Sequence, residues 1–557
     1  MSEITSLVEP LDPTDPFARE AQTFPSLSEE FTARIAAFGQ EEVMRGGTLL
    51  FERGQRNVDF FLILQGYIEL LEFNREGTPH SLLLLRPRQF TGELHLFNER
   101  RVLVSALAGE GTRVIRVRRS DFRRLVASEP DIGEVMMRAF ILRRVGFMLH
   151  AFGGVELVGP ARGGDTLRIQ RFMRRNGYPY RLLDTELDSA AGEFLRGLGL
   201  SEEQLPVVLL PGKIVLRNPD DARLAEALGL DESLEPDRVY DAAVVGAGPA
   251  GLSAALYAAS EGLSTIVLES TAPGGQAGTS SRIENYLGFP TGISGQALAG
   301  RAQNQAQKFG ARLAVGRSVT GINCTQQPYR LSVDGTEQVR ARCVVVASGA
   351  RYRKLALEDC ARFEGHGIHY AATAMEAALC RDQDIVVVGG GNSAGQAAVF
   401  LSRGARHVHI VVRRPRLAET MSDYLVQRIA TSPKITVHPE TEITQLDGDR
   451  YLRQVAWTDR RSGITESPAV SNLFLMIGAE PNTKWLGECL SLDANGFVRT
   501  GMADEDRVSG SSFETSQPGI YAVGDVRAGS VKRVASAVGE GSVVVQAIHR
   551  FINATAP

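Results

Sequence analysis

Residues 240–269, which read YDAAVVGAGPAGLSAALYAASEGLSTIVLE, constrain the fold more than any other stretch of the chain. An apolar run leads into Gly246, Gly248 and Gly251, a helical segment follows, and a second apolar run ends at Glu269. This pattern predicts strand, tight turn, helix and strand, with glycines that let a pyrophosphate approach the backbone. N–H groups at the helix start would receive the phosphates, and Glu269 would accept a ribose hydroxyl. The stretch therefore predicts a dinucleotide site; the alternative is a tight strand–helix turn without a ligand.

A second unit of the same kind begins near residue 384 and reads DIVVVGGGNSAGQAAVFLSRGARHVHIVVRR. Its fingerprint is Gly389, Gly391 and Ala394, and its second strand ends in Arg413 and Arg414 instead of an acid. A carboxylate would repel a 2′-phosphate, whereas guanidinium groups bind one. The first unit therefore favours FAD and the second favours NADPH. The alternative for the arginines is a solvated strand end.

Length and composition set the outer limits. A chain of 557 residues is too long for one hydrophobic core, so several domains are expected. A net charge of −4 gives no reason to expect nucleic acid as a partner. The start, MSEITSLVEPLD, lacks a signal-peptide core, and the glycine fingerprint argues against a membrane span at 240–259. Five cysteines without a C-x-x-C pair fit a reducing, cytoplasmic setting and no disulfide framework.

The N-terminal part is predicted to be rich in β-strands. Residues 1–25 form a polar arm, and residues 26–150 show short strands with turns followed by a helix over 132–150, as in a jelly-roll-like barrel. This order resembles a cyclic-nucleotide-binding domain, with FTGELHLF at 90–97 in the place of its phosphate-binding cassette. The resemblance implies nucleotide contacts at Gly92 and Glu93. Arg100 and Arg101 lie slightly ahead of the family's phosphate-binding arginine, where this chain has Val102, so another anion or a barrel without a ligand stays open.

Residues 153–232 show a β-α-β-α-β-β-α order that includes a predicted helix over 190–198. The segment resembles glutaredoxin and the wider thioredoxin fold, and the resemblance implies a cis bond between Leu205 and Pro206. The loop that carries the dithiol in that family reads GPARGGDT here and contains no cysteine. No thiol chemistry can originate in this domain, which predicts a docking surface or a spacer.

From residue 236 to the C-terminus the chain resembles the low-molecular-weight thioredoxin reductases. The resemblance rests on the two fingerprints together with GGQ, ENYLGFP and GIYAVGDV. It implies an FAD domain over 236–350 and 470–557, with an NADPH-binding domain inserted over 351–469. The fold class predicted for the whole chain is multidomain: a β-barrel, an α/β thioredoxin-like domain and two Rossmann-like α/β domains. The flavin contacts that the resemblance adds are Gly275, Gln276, Asn285, Gly524, Asp525 and Arg533.

The redox dithiol of that family is missing. The family carries Tyr-Cys-Ala-Thr-Cys-Asp ahead of the second fingerprint, and residues 370–375 here read YAATAM. Alanine offers no sulfur for the thiolate adduct through which a flavin reduces a disulfide. Cys380 lies nearby but is single, which favours a packed or surface thiol. His366 and His369 are expected at the surface, with a proton relay as the alternative.

The predicted function is an FAD-dependent NADPH oxidoreductase that passes electrons to an unidentified acceptor without an internal C-x-x-C. No catalytic side chain and no metal site are predicted, because the cofactors carry the hydride chemistry. The acceptor would be a quinone-like small molecule or a redox protein; ferredoxin–NADP reductases of thioredoxin-reductase type also lack the dithiol. The alternatives are a non-catalytic sensor and a thioredoxin reductase that uses partner thiols. The resemblance implies a homodimer, and the lost dithiol favours a pose in which NADPH faces the flavin.

Overall fold

The computed structural model of the protein describes residues 15–73, 78–98, 100–188, 195, 201–211, 214–280, 282–335, 337–357, 359–501 and 511–555. These residues form four units in chain order. The first is rich in antiparallel strands, the second is a small mixed sheet, and the last two are parallel sheets covered by helices.

The first unit consists of two antiparallel sheets packed with phenylalanine-rich helices. Its elements are α1 (Glu20–Thr23), α2 (Glu29–Ala36), β1 (Gln40–Val43), β2 (Leu49–Phe51), β3 (Phe60–Gln65), β4 (Ile68–Phe73), β5 (Pro79–Leu85), β6 (Ser105–Ala108), β7 (Arg113–Val117), α3 (Arg119–Ser128) and α4 (Pro130–His150). The sheets have the orders β1-β7-β3 and β2-β6-β4-β5. Phe60, Phe90, Phe122 and Phe140 are fully buried between β3 and the helices α3 and α4. The closing helix begins at Pro130, whose fixed φ suits a first helical position.

The second unit has a four-stranded sheet. Its elements are β8 (Val155–Gly159), α5 (Gly164–Arg175), β9 (Tyr180–Asp184), β10 (Val207–Leu210), β11 (Ile214–Arg217) and α6 (Asp221–Leu228). The strand order is β11-β10-β8-β9, with β8 and β9 parallel and β10 antiparallel to both of its neighbours. The predicted cis peptide between Leu205 and Pro206 is confirmed. The predicted helix over 190–198 lies largely outside the described residues.

The third unit starts with the first glycine fingerprint. Its first part comprises β12 (Val239–Val245), α7 (Pro249–Ser260), β13 (Thr265–Glu269), α8 (Gly295–Lys308), β14 (Arg312–Val315), β15 (Val319–Asn323), β16 (Tyr329–Val333) and β17 (Glu337–Val346). The order β14-β13-β12-β17 is parallel throughout, and β16 and β15 extend it as antiparallel strands. The strands are nearly continuous apolar runs because helices cover both faces of the sheet.

The fourth unit is inserted into the third, between β17 and the segment that returns to its sheet. The segment comprises β18 (Ala350–Tyr352), α9 (Cys360–Phe363), β19 (Ile368–His369), α10 (Ala374–Leu379), β20 (Asp384–Val388), α11 (Asn392–Leu401), β21 (His407–Val411), α12 (Asp423–Ala430), β22 (Ile435–His438), β23 (Thr441–Gly448), β24 (Leu452–Asp459), β25 (Thr465–Glu466), β26 (Leu473–Leu475) and β27 (Ala479–Pro481). Its parallel sheet has the order β19-β26-β20-β21-β22, and β23, β24 and β25 form an antiparallel sheet. The second fingerprint lies between β20 and α11.

The chain returns to the third unit through paired strands. β18 pairs with β27, and β28 (Ile520–Ala522) then joins the first sheet beside β17. The expected boundary at residue 470 is therefore too early, because β26 still pairs with β20 in the inserted sheet. The last helix, α13 (Val534–Ala554), packs closely on α7: a Cβ at Gly541 would lie 2.2 Å from the Ala250 carbonyl oxygen. The return thus completes the sheet and fixes α7.

The expectation of no disulfide is wrong for one pair. Cys324, directly after β15, is bonded to Cys489, 165 residues later in the chain. Each follows an element that packs on the same apolar cluster, so the fold brings them together although no local spacing pairs them. The other three cysteines, Cys343, Cys360 and Cys380, are free and buried. No helix in the described part of the chain has the length and apolar character needed to cross a membrane.

The disulfide predicts a thiol count. Protein purified without reductant and then denatured should expose three titratable thiols, and five after reduction. Cys489→Ser should lower the free energy of unfolding by roughly 2–5 kcal/mol, because the bond closes a long loop in the unfolded chain. Reduced wild-type protein is the matched control, and five reactive thiols before reduction would contradict the pairing.

Candidate functional site

The turn after β12 is built so that backbone, rather than side chains, borders the ligand space. Gly246 has φ +102°, and a Cβ at Gly251 would lie 1.9 Å from the Gly246 carbonyl oxygen. At Gly248 a Cβ would meet only the Cα of Gly275, at 3.9 Å. Helix and strand therefore pack closely at Gly251, while the helix start at Gly248 stays open for a phosphate.

A cavity of about 840 Å³ opens over this turn. Nine of the ten predicted flavin contacts line it; Gly251 alone lies beneath the surface, where it provides the close packing. The nine are Gly246, Gly248, Glu269, Gly275, Gln276, Asn285, Gly524, Asp525 and Arg533. The structure thus brings together residues that are up to 287 positions apart (246 to 533).

Glu269 is fixed at the end of β13 by backbone donors. Its Oε2 atom accepts a hydrogen bond from the Ala247 N–H at 2.8 Å, and its Oε1 atom accepts from Thr271 at 2.9 Å and from Ala272 at 3.2 Å. A carboxylate oxygen has further lone pairs, so these bonds orient Glu269 without using its whole capacity. Its position at the strand end suits the expected role on a ribose hydroxyl.

The cavity lining also includes a partly buried carboxyl group and aromatic rings. Burial raises the pKa of Asp525, Lys532 opposes this and Glu540 adds to it. Tyr352 stacks on Tyr370, with ring centroids 6.0 Å apart. Ala371 and Ala372 follow and line the same wall. Residues 370–372 therefore face the cavity with one aromatic ring and two methyl groups and contribute no sulfur.

The second fingerprint lies at the carboxyl edge of its own sheet. Gly389 has φ +138°, and a Cβ there would lie 2.3 Å from the Met476 carbonyl oxygen, whereas a Cβ at Gly391 would meet nothing within 4 Å. Ala394 is fully buried in α11. Because β20 and β21 are parallel, Gly389 and the arginines after β21 reach the same edge. The predicted NADPH contacts Gly389, Gly391, Ala394, Arg413 and Arg414 do not line the large cavity, whereas Met476 does.

Arg413 and Arg414 follow β21 and are both exposed. The Arg414 guanidinium pairs with Glu419 at 3.3 Å. Arg413 forms no ion pair with a carboxylate in the described ranges. An unpaired guanidinium at this edge is free to bind a phosphate group.

The two nucleotide-binding turns share one space. Asn392, Ser393, Gln396 and Ala397, from the start of α11, line the large cavity together with the first fingerprint. Sequence reasoning missed these residues. They fill the variable positions of the fingerprint and the turn after it, and only the orientation of the two sheets places them in the cavity.

Cys380 and the two predicted histidines, His366 and His369, do not line the large cavity. Burial raises the pKa of the Cys380 thiol to about 12, and that thiol sits in the core of the inserted domain. The expectation of surface histidines is wrong: His369 is buried against Asn472, and burial lowers its pKa. His366 is half-buried at a domain contact. Neither Cys324 nor Cys489 lines the cavity.

The small second unit touches both nucleotide domains through α5. The Gly164 N–H, at the helix start, donates to His366 Nε2 at 3.3 Å. The Arg171 Nε atom donates to the buried Glu376 carboxylate at 2.9 Å. Arg175, the last residue of α5, lines the large cavity. The cysteine-free loop before α5 therefore lies against the segment that leads into residues 370–375.

The cassette of the first unit is occupied by the protein's own side chains. Glu93 is buried and accepts from Arg144 of α4 at 2.5 Å. Burial opposes ionisation of Glu93, but Arg144, His95 and Arg100 hold its pKa at about 2. Arg100 donates to the Asn176 carbonyl oxygen at 2.8 Å. The Gly92 carbonyl oxygen accepts from Arg143, the residue before Arg144, at 2.8 Å.

Arg101, the other predicted phosphate ligand, lies against Gly229, where an added Cβ would be 2.5 Å from its side chain. Both predicted arginines of the cassette therefore contact the second unit. The atoms Glu93 Oε2, His95 Nε2, Arg100 Nη2 and Arg143 Nη2 are buried without hydrogen-bond partners among the described residues.

Comparison with known proteins decides the family. The pyridine nucleotide-disulphide oxidoreductase profile matches residues 240–541, just over half of the chain. The chain belongs to the pyridine nucleotide-disulphide oxidoreductase family. A cyclic nucleotide-binding domain profile matches residues 41–129.

Similar proteins of this family are thioredoxin reductases. The enzyme from Mycolicibacterium smegmatis is 35% identical over 303 residues, which are 54% of this chain and 93% of that protein. The solved thioredoxin reductase of Lactococcus lactis, in its FR conformation, has a TM-score of 0.52 and 28% identity and covers 57% of this chain and 99% of its own. The Thermoplasma structure, from T. acidophilum, has a TM-score of 0.51 and 29% identity over 58% of this chain and all of its own. The protein is an NADPH-dependent flavoprotein oxidoreductase, and its cofactors are FAD and NADPH.

The fingerprint glycines give a matched pair of variants. Gly251→Ala should lose most of its bound flavin or melt at a lower temperature, because the added methyl group overlaps the Gly246 carbonyl and overpacking costs about 1–3 kcal/mol. Gly391→Ala should keep wild-type flavin content and melting temperature, because its Cβ faces open space. The measurements are the flavin-to-protein absorbance ratio and thermal melting. Full flavin content and an unchanged melting temperature in Gly251→Ala would contradict the packing.

Proposed function

We propose that this oxidoreductase transfers a hydride from NADPH to FAD and passes the electrons to an external acceptor without an internal C-x-x-C. The observation that carries the proposal is the shared cavity, into which the first fingerprint and the start of α11 both open. Hydride transfer requires the nicotinamide and the flavin in one space from which water is excluded. The cavity is lined by residues from both units, so it can bring the two rings together.

The residues present fit a flavin dinucleotide. Backbone at Gly248 and Gly275 leaves room for a pyrophosphate, Glu269 is oriented for the adenosine ribose, and Asp525 and Arg533 line the same cavity. We assign FAD to this cavity. When bound, FAD accepts two electrons as a hydride and releases them to a second substrate. The protein's part is to bind and orient the two cofactors, so no side chain is required as a catalyst.

In the second half-reaction, the flavin is proposed to pass its electrons to an acceptor outside this chain. Ala371 and Ala372 stand where a dithiol would face the flavin, and the free thiols of Cys343, Cys360 and Cys380 are buried. Burial raises the pKa of each of these thiols, which disfavours the reactive thiolate. The acceptor is proposed to be a quinone-like small molecule or a redox protein that reaches the wall formed by the alanines.

The other structural proposals follow from the same layout. Residues 153–232 are proposed to be a cysteine-free thioredoxin-like domain, because β8, α5 and β9 form a parallel unit with the cis Pro206 ahead of β10. The NADPH-binding domain is proposed to keep the nicotinamide towards the flavin, since Asn392 and Ser393 already line that cavity. A homodimer and a cytoplasmic location stay predictions.

Anaerobic titration with NADPH tests the first half-reaction. The yellow protein should bleach with a stoichiometric amount of NADPH, and a panel of quinones, ferricyanide and ferredoxin should restore the colour at rates above that of free flavin. A coupled assay with thioredoxin should consume no NADPH. Protein that binds FAD but is not bleached by NADPH would support the non-catalytic sensor instead, and turnover with thioredoxin would support partner thiols.

The same titration tests the choice of nicotinamide cofactor. Arg413→Gln should raise the NADPH concentration needed for half-bleaching about tenfold, because a guanidinium bound to the 2′-phosphate contributes about 1.4 kcal/mol or more. The NADH requirement should not change. Arg406→Gln, whose side chain pairs with Asp384 on the same sheet, is the matched control and should behave as wild type. Equal effects of Arg413→Gln on both cofactors would argue for a solvated strand end.

A second candidate function is regulation by a cyclic nucleotide. The support is the family match over residues 41–129 and the four buried, unpartnered polar atoms around Glu93. Three guanidinium groups, from Arg100, Arg143 and Arg144, face two carboxylates, Glu93 and Glu232, so the cluster carries one excess positive charge. A buried cationic excess attracts a phosphate anion.

Thermal melting with cyclic AMP and cyclic GMP tests this candidate. A nucleotide that binds should raise the melting temperature of wild type, and Arg100→Gln should abolish the rise because Arg100 belongs to the buried cluster around Glu93. Inorganic phosphate controls for a general anion effect. No shift with either nucleotide would mean that the first unit serves for domain contacts only.

A further inference from the structure

We infer that Arg175, from the small second unit, is an FAD-binding residue that neutralises the pyrophosphate of the flavin dinucleotide. The inference rests on the proposed assignment of FAD to the large cavity. Nothing in the sequence of this unit indicates a nucleotide contact, because Arg175 belongs to a helix that precedes the first glycine fingerprint by more than sixty residues (175 to 246).

Arg175 is anchored on the loop that forms the cavity wall. Its Nη2 atom donates to the carbonyl oxygens of Ala272 and Gly275, both at 3.1 Å. Gly275 packs on Gly248, since a Cβ at Gly275 would lie 3.0 Å from the Gly248 Cα. The guanidinium is therefore held beside the open helix start at which a pyrophosphate binds.

The guanidinium has unused donor capacity. Its Nε atom is buried without a hydrogen-bond partner within the described residues. No carboxylate of the described residues lies within ion-pair distance of Arg175, and Asp221 acts on it only at longer range. Three other basic residues of the cavity wall are paired, Arg282 with Glu284, Arg317 with Asp334 and Arg351 with Glu480, whereas Lys532 and Arg533 of that wall form no ion pair among the described residues. A half-buried, unpaired guanidinium is costly unless an anion accompanies it. The phosphates of FAD supply that anion.

Tyr352, which lines the cavity, is affected by the positive charge of Arg175. Tyr352 lines the wall, and burial raises its pKa, while the hydrogen bond with Thr279 and the positive charge of Arg175 lower it. Arg175 therefore acts electrostatically on the cavity as well as on its own unit. Asn176, the next residue, donates through its amide to the Thr271 carbonyl oxygen at 3.0 Å. Residues 175 and 176 thus join the second unit to the loop over 271–275 with three hydrogen bonds to backbone carbonyls.

The test is the Kd for FAD of the full-length apoprotein, measured by the quenching of flavin fluorescence. Arg175→Gln should raise the Kd for FAD about tenfold to a hundredfold, because charge-assisted hydrogen bonds to phosphate are lost. Arg174→Gln, one position earlier and outside the cavity lining, should stay within about twofold of wild type. Riboflavin, which has no phosphate, should bind Arg175→Gln and wild type equally.

The variant Arg171→Gln distinguishes a loosened domain contact from a lost phosphate contact. This change removes the bond from α5 to Glu376 of the inserted unit, the other domain contact of the same helix, without removing a charge from the cavity. If Arg171→Gln weakens FAD as much as Arg175→Gln does, or if Arg175→Gln weakens riboflavin equally, the inference is overturned. Wild type that fails to bind FAD would instead overturn the proposed function. Wild type and Arg175→Gln with equal Kd for FAD would overturn only the inference.

Discussion

The close approach of α7 to the end of β12 is the contact on which the cofactor cavity depends. Because Gly251 has no side chain, the Gly246 carbonyl oxygen can lie against it. For the same reason the Ala250 carbonyl oxygen can lie against Gly541 of α13. The Ser253 hydroxyl adds a 2.7 Å bond to the Val538 carbonyl oxygen. The helix is therefore held from two sides, and its N–H groups point at open space. A larger residue at either glycine would move the helix start on which the phosphate chemistry depends.

The direction of electron flow follows from what lines this cavity and what does not. The paired strands β18 and β27 connect two parallel sheets, and their orientation brings the start of α11 over the first fingerprint. Alanine at positions 371 and 372 leaves a wall without sulfur. The free thiols are packed in cores and the one disulfide lies outside the cavity lining. Under the proposed assignment of the two cofactors, the described residues therefore place no free thiol at the cavity through which electrons would leave.

The small second unit is more than a spacer between the first unit and the nucleotide domains. On one side its Asn176 carbonyl accepts from Arg100, and on the other Arg171 and Arg175 contact the nucleotide domains. These contacts are polar and charged rather than apolar. Charged groups at half-buried domain contacts are stabilising only with good geometry and matched partners.

The amino-acid sequence by itself determined the two strand–turn–helix units and the unlike strand ends Glu269 and Arg413. These depend on neighbours a few residues apart, where turn geometry and side-chain chemistry leave little choice. Only the tertiary structure decided that Cys324 meets Cys489, that His369 is buried, that Arg100 turns to Asn176 and that Asn392 and Arg175 reach the flavin cavity. Each of these depends on how separate domains are oriented against one another, and no local pattern encodes that orientation because it is the sum of many weak contacts across distant segments.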